Sequence, residues 1–132
     1  MTVKTLPLTR PVASGNPVLT PDGHVIVCPC LGANQLSHPE VWDLASSSRL
    51  GTLQSDGELA SWTVSGDGSR IITGGADGTV RVWDARRYEM LLTLQAEGRV
   101  HALALSPDGR RLAAGTASGR LYVWTAESEE RK

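Results

Sequence analysis

Residues 74–84 read Gly74-Gly75-Ala76-Asp77-Gly78-Thr79-Val80-Arg81-Val82-Trp83-Asp84. Asp77-Gly78 predicts a two-residue hairpin turn, because such a turn needs a positive φ, which Gly adopts without steric cost. From Thr79 to Trp83 the side chains alternate with the period of two that a pleated strand requires. The stretch therefore predicts a β-hairpin whose second strand ends in a Trp-Asp pair.

This hairpin belongs to a repeat. Trp42 lies 41 residues before Trp83, and Trp124 lies 41 residues after it. A turn containing Asp-Gly precedes each Trp, at 21–23, 66–68 and 107–109. Each unit therefore has room for four short antiparallel strands: a before this turn, b after it, c with the Trp, and d leading to the next unit. No segment shows a helical period. The predicted strands are 59–65, 70–73, 79–83 and 90–94 in the second unit, and 100–106, 111–115 and 120–124 in the third.

The repeat resembles the blades of WD-repeat β-propellers, which are four-stranded sheets of about 40 to 45 residues with a terminal Trp-Asp. The resemblance covers nearly the whole chain. It implies an all-β fold of three antiparallel blades, in which the N-terminal strand closes a blade by pairing with the last strand c. We expect a single three-blade unit: a closing strand at 1–8, blades at 9–54, 55–95 and 96–125, and a charged tail at 126–132.

The two ends of the sequence complement each other. Residues 2–6 resemble strand d at 90–94, whereas the third unit stops after strand c at Trp124. WD-repeat propellers close with such an N-terminal strand, so the resemblance implies that both ends are authentic. Propellers have about four to eight blades, so three cannot close a ring. We expect copies of this chain to form a head-to-tail ring, and we prefer a dimer of six blades to a trimer of nine. The alternative is that a partner chain supplies the other blades.

The first unit departs from the other two. Gly23 and Trp42 are 19 residues apart, against 15 in both later units, which predicts four inserted residues between strands b and c. We expect a long loop at 31–39, and added length at one turn is a common way for a scaffold to acquire a site. Pro17 lies in strand a of this unit, predicted at 15–20, and predicts irregular pairing there.

The family resemblance also implies where partners dock, on the face formed by the d–a and b–c loops. The residues that it places there are Ser55, Asp56 and Glu58 in the second unit, Glu97, Arg99 and His101 in the third, and Asn34, Gln35 and His38 in the long loop. We expect these residues to bind a protein partner.

The same resemblance assigns structural roles. Trp42, Trp83 and Trp124 are expected to be core residues between neighbouring strands. In the family this Trp joins a hydrogen-bond network with a turn Asp, a hydroxyl of strand b, and a His before strand a. Asp77 matches the turn Asp, whereas Ser118 replaces it in the third unit, where Thr116 keeps the hydroxyl. Neither full linker contains the His, so these blades are expected to depend more on packing than typical ones.

Composition excludes some function classes. The formal net charge is −1, and the eleven Arg and two Lys are interleaved with acidic residues, so neither nucleic acid nor a membrane surface is an expected partner. The first residues lack the apolar run of a signal peptide, and no segment reaches the length of a membrane span. Two closely spaced cysteines form no disulfide framework. We expect a cytoplasmic protein.

The sequence offers little catalytic or metal chemistry. Cys28 and Cys30 lie near His24 and His38, but Cys-Pro-Cys lacks the usual zinc spacing, so neither a metal nor another cofactor is expected. His101 has no nucleophile or carboxylate motif beside it, so we expect no enzyme activity. The favoured function is a non-enzymatic interaction scaffold. Two alternatives stay open: a regulatory or sensing part of a larger assembly, and a small-ligand binder that uses the axial channel.

Overall fold

The computed structural model of the chain describes residues 3, 5–8, 17–31, 37–53 and 59–126, without the side chains of residues 31, 37 and 38. These residues contain eleven β-strands and no helix. The strands are β1 (Val18–Leu19), β2 (Val25–Leu31), β3 (Ser37–Asp43), β4 (Ser48–Thr52), β5 (Leu59–Val64), β6 (Arg70–Gly75), β7 (Thr79–Asp84), β8 (Met90–Gln95), β9 (Val100–Leu105), β10 (Arg111–Thr116) and β11 (Leu121–Thr125). The all-β prediction is confirmed.

The strands form three antiparallel sheets, each built from consecutive strands. The first sheet is β1-β2-β3-β4, the second β5-β6-β7-β8 and the third β9-β10-β11. The strands predicted for the second and third units agree with the observed ones to within two residues. Residues 3 and 5–8 are not in a strand, and nothing in the described ranges pairs with the outer edge of β11. The prediction of three antiparallel blades is confirmed, and the sheets that the structure describes do not close into a ring.

The turn between β6 and β7 differs from its prediction. It contains three residues, 76–78, of which only Gly78 has a positive φ, at 88°. The Gly78 N–H donates to the Gly75 carbonyl at 3.2 Å, and the Asp77 carboxylate accepts the Thr79 N–H at 3.0 Å. The expected two-residue turn is wrong, because the Asp side chain holds the backbone in a longer turn that needs a left-handed residue at its last position only.

The insertion in the first unit lengthens a hairpin. β2 and β3 stay paired as far as Leu31 and Ser37, so residues 31 and 37–39, which we assigned to a loop, are in strands. Pro29 lies opposite Pro39. The Pro39 carbonyl accepts the Leu53 N–H at 3.0 Å and therefore points away from β2. The pair of prolines thus lies at a position of the β2–β3 ladder where no backbone hydrogen bond is formed, so the missing N–H groups do not weaken the pairing of these two strands. β1 spans only two residues and begins after Pro17, in agreement with the irregular pairing expected there.

The second sheet lies between the other two, and each of its faces packs against one of them. A first buried cluster joins it to the first sheet and contains Val27, Val41, Leu53, Leu59, Trp62, Ile71 and Trp83. A second cluster joins it to the third sheet and contains Ile72, Val80, Ala96, Val100, Leu112 and Ala114. Ile71 and Ile72 are adjacent in β6 and belong to different clusters, because successive side chains of a strand point to opposite faces.

The second and third sheets approach closely at Gly74. A Cβ on Gly74 would lie 2.4 Å from Val100 Cγ1 and 2.8 Å from Ser61 Oγ. The Ser61 hydroxyl donates to the Val100 carbonyl at 3.0 Å, which links the innermost strands of the two sheets. Glycine is therefore required at this position for the sheets to meet.

The three a–b turns share one hydrogen-bond pattern. In each, the Asp carboxylate accepts the hydroxyl of the residue two before it and the N–H of the residue two after it, and the Gly after the Asp has a φ of 75–76°. Asp67 also accepts the Ser69 hydroxyl, at 2.7 Å. The bonds from Ser69 and then from Ser65 lower the pKa of Asp67 to about 2.

This lowered pKa predicts a pH-dependent contribution to stability. A carboxylate whose pKa is lower in the folded than in the unfolded chain stabilises the fold above its unfolded pKa of about 4, and the contribution is lost as pH falls through about 2. Asp67→Asn keeps an acceptor but loses the charge. We expect this variant to melt below the parent at pH 6, with the gap narrowing at pH 2.5. An equal gap at both pH values in thermal melts would contradict the turn's electrostatic role.

Candidate functional site

Three connections of the second and third sheets meet at one end of the molecule. They are the β6–β7 turn, the β8–β9 connection at 96–99 and the β10–β11 connection at 117–120. The Ala96 N–H donates to the Gly78 carbonyl at 2.8 Å, and the Ala117 N–H donates to the Arg99 carbonyl at 2.8 Å. We call this surface the upper face. Because its loops are hydrogen-bonded to one another across the two sheets, its backbone forms one supported surface.

Glu97 is held by two residues of the third sheet, one in β11 and one in the β10–β11 connection. Its N–H donates to the Tyr122 hydroxyl at 3.1 Å, and its carbonyl accepts the Ser118 hydroxyl at 3.0 Å. Its carboxylate lies 3.5 Å from Arg120 Nε, and both side chains are mostly exposed. An ion pair in that setting contributes little stability. The backbone of Glu97 is therefore fixed, while its carboxylate is presented to solvent.

The structure brings together the site residues predicted in the third unit. Glu97 and Arg99 lie on the β8–β9 connection, His101 lies in β9, and all three are exposed. Asp77, also exposed, lies on the neighbouring β6–β7 turn. This group combines carboxylate, guanidinium and imidazole side chains on a supported backbone, which suits hydrogen bonds and ion pairs to a docked polypeptide.

Other predicted site residues lie outside the described part of the chain. They are Asn34, Gln35, Ser55, Asp56 and Glu58. His38 is in β3, opposite Cys30 in the ladder, and its side chain is outside the described part as well. Their role in binding stays a prediction.

Among the described residues, the bond between the Trp indole and a strand-b hydroxyl occurs only in the second sheet. Trp83 is buried, and its indole N–H donates to the Thr73 hydroxyl at 2.9 Å. Thr73 is fully buried and pairs with Arg81, two residues before Trp83, so hydroxyl and indole are on one face. A buried indole N–H without an acceptor costs about 1–3 kcal/mol, so this bond stabilises the middle sheet.

The first sheet uses a different acceptor. Cys28 occupies the register position of Thr73 and has no hydroxyl. The buried Trp42 indole instead donates to Glu40 Oε1 at 2.9 Å, and Arg49 Nη1 lies 3.4 Å from Glu40 Oε2. Sequence reasoning missed Glu40, although the signal was present: a residue two before the Trp on the same strand shares its face.

In the third sheet Thr116 does not occupy the position of Thr73. Ala114 pairs with Tyr122, two residues before Trp124, and so takes that position. The Thr116 hydroxyl lies 2.8 Å from the Ser118 hydroxyl instead. Trp124 is half-buried and stacks on Tyr122, with ring centroids 5.7 Å apart. The third sheet thus holds its Trp by an aromatic contact, as expected of a blade that depends more on packing.

A fourth tryptophan was not singled out from the sequence. Trp62 of β5 is buried in the first cluster, and its indole N–H has no hydrogen-bond partner among the described residues. It lies outside the 41-residue Trp repeat, so the repeat gave no signal for it.

The cysteines are buried thiols. Cys28 Sγ and Cys30 Sγ are 4.0 Å apart on one face of β2. Burial raises the pKa of Cys28 and, with the added repulsion of Cys28 and Glu40, raises that of Cys30 to about 12. Both thiols therefore stay protonated at neutral pH, which makes them poor nucleophiles. Among the side chains that the structure describes, no group of three or more His, Cys, Asp or Glu is placed to hold a metal ion.

A cleft of about 580 Å³ opens between the second and third sheets. Apolar side chains of both sheets line it, including Val82, Leu92, Leu94, Leu112 and Trp124. Because Trp124 and the following Thr125 belong to β11, the cleft lies beside the outer edge of the third sheet, with which no described strand pairs.

Two segments of the chain match a known family. Residues 47–84 and 88–125, together more than half of the chain, each match the family described as WD40: WD domain, G-beta repeat. Each match covers β4 or β8 and the three strands that follow, so β1, β2 and β3 lie outside both. No curated protein matches the sequence. Within the described ranges there is no helix that could cross a membrane.

The Thr73–Trp83 bond predicts a measurable stability difference. Thr73→Val keeps the shape of the side chain but removes the acceptor, so we expect a loss of about 1–3 kcal/mol in the free energy of unfolding. Thr63→Val, on a half-buried residue of the neighbouring strand, serves as the control and should change stability by less. Chemical denaturation measures both, and equal small losses would show that the bond does not anchor the Trp.

Proposed function

Because this chain belongs to the WD40 family, whose domains serve in general as non-enzymatic scaffolds for protein interaction, we propose that it is an interaction scaffold completed by assembly with itself. In this proposal two copies close head to tail into a ring of six blades. A trimer of nine blades is the second choice. The proposal places the protein in the cytoplasm.

The observation that carries the proposal is the incomplete third sheet. Within the described part of the chain it has three strands, where the first and second sheets have four. An unpaired edge presents backbone donors and acceptors that invite another strand. The apolar cleft beside β11 gives such a strand a surface to cover. Residues 2–6, which resemble β8 in sequence, supply that strand from the second copy.

The upper face is the proposed partner surface. Glu97 and Arg99 are exposed there on the β8–β9 connection, whose backbone is fixed by hydrogen bonds, and His101 is exposed at the start of β9. A backbone that is already ordered lowers the entropy cost that forming a partner interface must overcome. The long β2–β3 hairpin is proposed to contribute Asn34, Gln35 and His38, and the β4–β5 connection Ser55, Asp56 and Glu58.

A second candidate follows from the same open edge. A different chain with complementary blades would complete the propeller equally well, which would make this protein the regulatory or sensing part of a larger assembly. A small-ligand site in the axial channel has less support, because the exposed residues of β9 beyond His101 are Ala102 and Ala104, which offer a ligand little polar contact.

Truncation tests the closing strand. Deleting residues 1–7 should dissociate the ring, because each copy would lose the strand that pairs with β11 of the other. Deleting residues 127–132 removes a similar length from the other end and should leave the assembly unchanged. Sedimentation velocity of both variants beside the parent decides the matter: an unaltered assembly without residues 1–7 would rule them out as the closing strand.

A further inference from the structure

The cleft between the second and third sheets is an apolar site that the described residues leave open. Leu92 of β8 and Trp124 of β11 both line it, and Leu92 is 52% exposed. Ala126, which ends the described part of the chain, lines it as well. Residues 127–132, which follow, are three Glu, one Ser, one Arg and one Lys, so they offer the cleft no apolar side chain. An apolar cover for this cleft therefore has to come from another segment.

The neighbouring pair of sheets shows how such a cleft is filled. Tyr88, two residues before β8, packs against the first cluster, and a Cβ on Gly51 would lie 2.6 Å from its ring. In the next sheet Leu92 takes the place of Gly51, since Gly51 pairs with Val41 and Leu92 with Val82, and each Val directly precedes a Trp. Leu92 thus occupies part of the space that Gly51 leaves to Tyr88. The cleft between the second and third sheets therefore requires a side chain smaller than Tyr, brought in near the start of a fourth strand.

The second sheet supplies the register for that strand. β11 pairs with β10 as β7 pairs with β6, so Leu121 is the counterpart of Val80. Val80 pairs with Leu94, the second residue of a Thr-Leu sequence that recurs at residues 5–6. A closing strand that pairs with β11 as β8 pairs with β7 therefore places Leu6 opposite Leu121.

This register also decides which side chains face the cleft. In the second sheet Thr93 pairs with Arg81, two residues before Trp83, and so lies on the face from which Trp83 projects. Thr5 is the counterpart of Thr93. Val3 shares the face of Thr5, because alternate side chains of a strand point the same way. In the third sheet this Trp-bearing face is the one that lines the cleft.

Exposure and charge agree with this assignment. Val3 is 85% exposed, the highest fraction among the large apolar side chains in the described part of the chain. In the same strand Lys4 would lie on the opposite face, toward solvent. A strand shifted by one residue would exchange the two faces and put Lys4 into the apolar cleft, at the cost of removing its charge from water. The sequence of this segment therefore favours one register.

We propose, resting on the ring assembly above, that residues 2–6 of a second copy pair with β11 in this register and that Val3 fills the cleft between the second and third sheets. The site thus takes a small aliphatic side chain from the second copy, of a size that suits the space left beside Leu92. Lys4 stays in water. Val3 is then the residue that specifies this segment, and its register, as the closing strand.

Two variants place the same carboxylate on opposite faces of the closing strand. Val3→Asp should weaken self-association at least about tenfold, because an unpaired charge in an apolar cleft costs more than the about 1.4 kcal/mol that this factor represents. Lys4→Asp is the matched control and should weaken it far less. Light scattering over a concentration series, with the parent in the same run, measures both. Circular dichroism melts at the lowest concentration verify that each variant is folded.

Cross-linking between copies checks the register. Leu6→Cys and Leu121→Cys are prepared as separate chains and mixed, so that only a contact between two copies joins them. Oxidation with glutathione disulfide should give a covalent dimer, since residues paired across antiparallel strands have the spacing that a disulfide needs. A mixture of Thr5→Cys with Leu121→Cys is the matched control and should not cross-link, because these side chains lie on opposite faces. Each variant oxidised alone is the blank.

The outcomes separate this register from the ring. A monomeric parent overturns both together. If the parent assembles and Val3→Asp assembles equally well, or loses no more than Lys4→Asp does, the placement of Val3 in the cleft is wrong while the ring stands. Cross-linking of the Thr5→Cys mixture in place of the Leu6→Cys mixture overturns the register in the same way.

Discussion

The packing of one sheet face on the next is the interaction on which the rest of this structure depends. A four-stranded sheet with apolar side chains on both faces cannot bury them alone, and among the described sheets only the second has another described sheet on each side. Close approach at Gly74 and the Ser61–Val100 hydrogen bond bring the innermost strands of two sheets together. Stability in such stacks comes from sums over neighbouring units, so each missing neighbour leaves an end sheet weaker than the middle one.

The three sheets solve the same anchoring problem with different residues. Thr73 accepts the indole N–H in the second sheet, Glu40 does so in the first, and Tyr122 stacks on Trp124 in the third. The fold requires that each Trp be hydrogen-bonded or packed, but it does not require one particular partner residue, so the partner can differ between repeats. The loops of the upper face then vary independently of the core, which lets one scaffold present different binding residues.

Much of the fold was predictable because its signals are local. Trp spacing, Asp-Gly turns and alternation gave the sheets and most strand bounds, since each depends on residues close in sequence. The features that were missed depend on register across strands. Ala114 at the position expected for Thr116 and the burial of Trp62 emerge only when pairs are known. Glu40 is an exception, because its place two residues before Trp42 in the same strand was a local signal that was overlooked. The candidate site was predictable in its third-unit part, where loop position alone brings Glu97, Arg99 and His101 to one face.

In the assembly that we propose, the three sheets of one chain are an incomplete stack that a second copy completes. The most direct measurement is the absolute mass of the intact, purified protein in solution, by light scattering coupled to size exclusion. The account predicts a single species of twice the 14.1 kDa chain mass that persists at low micromolar concentration. A single species at the mass of one chain, at every concentration measured, would contradict it.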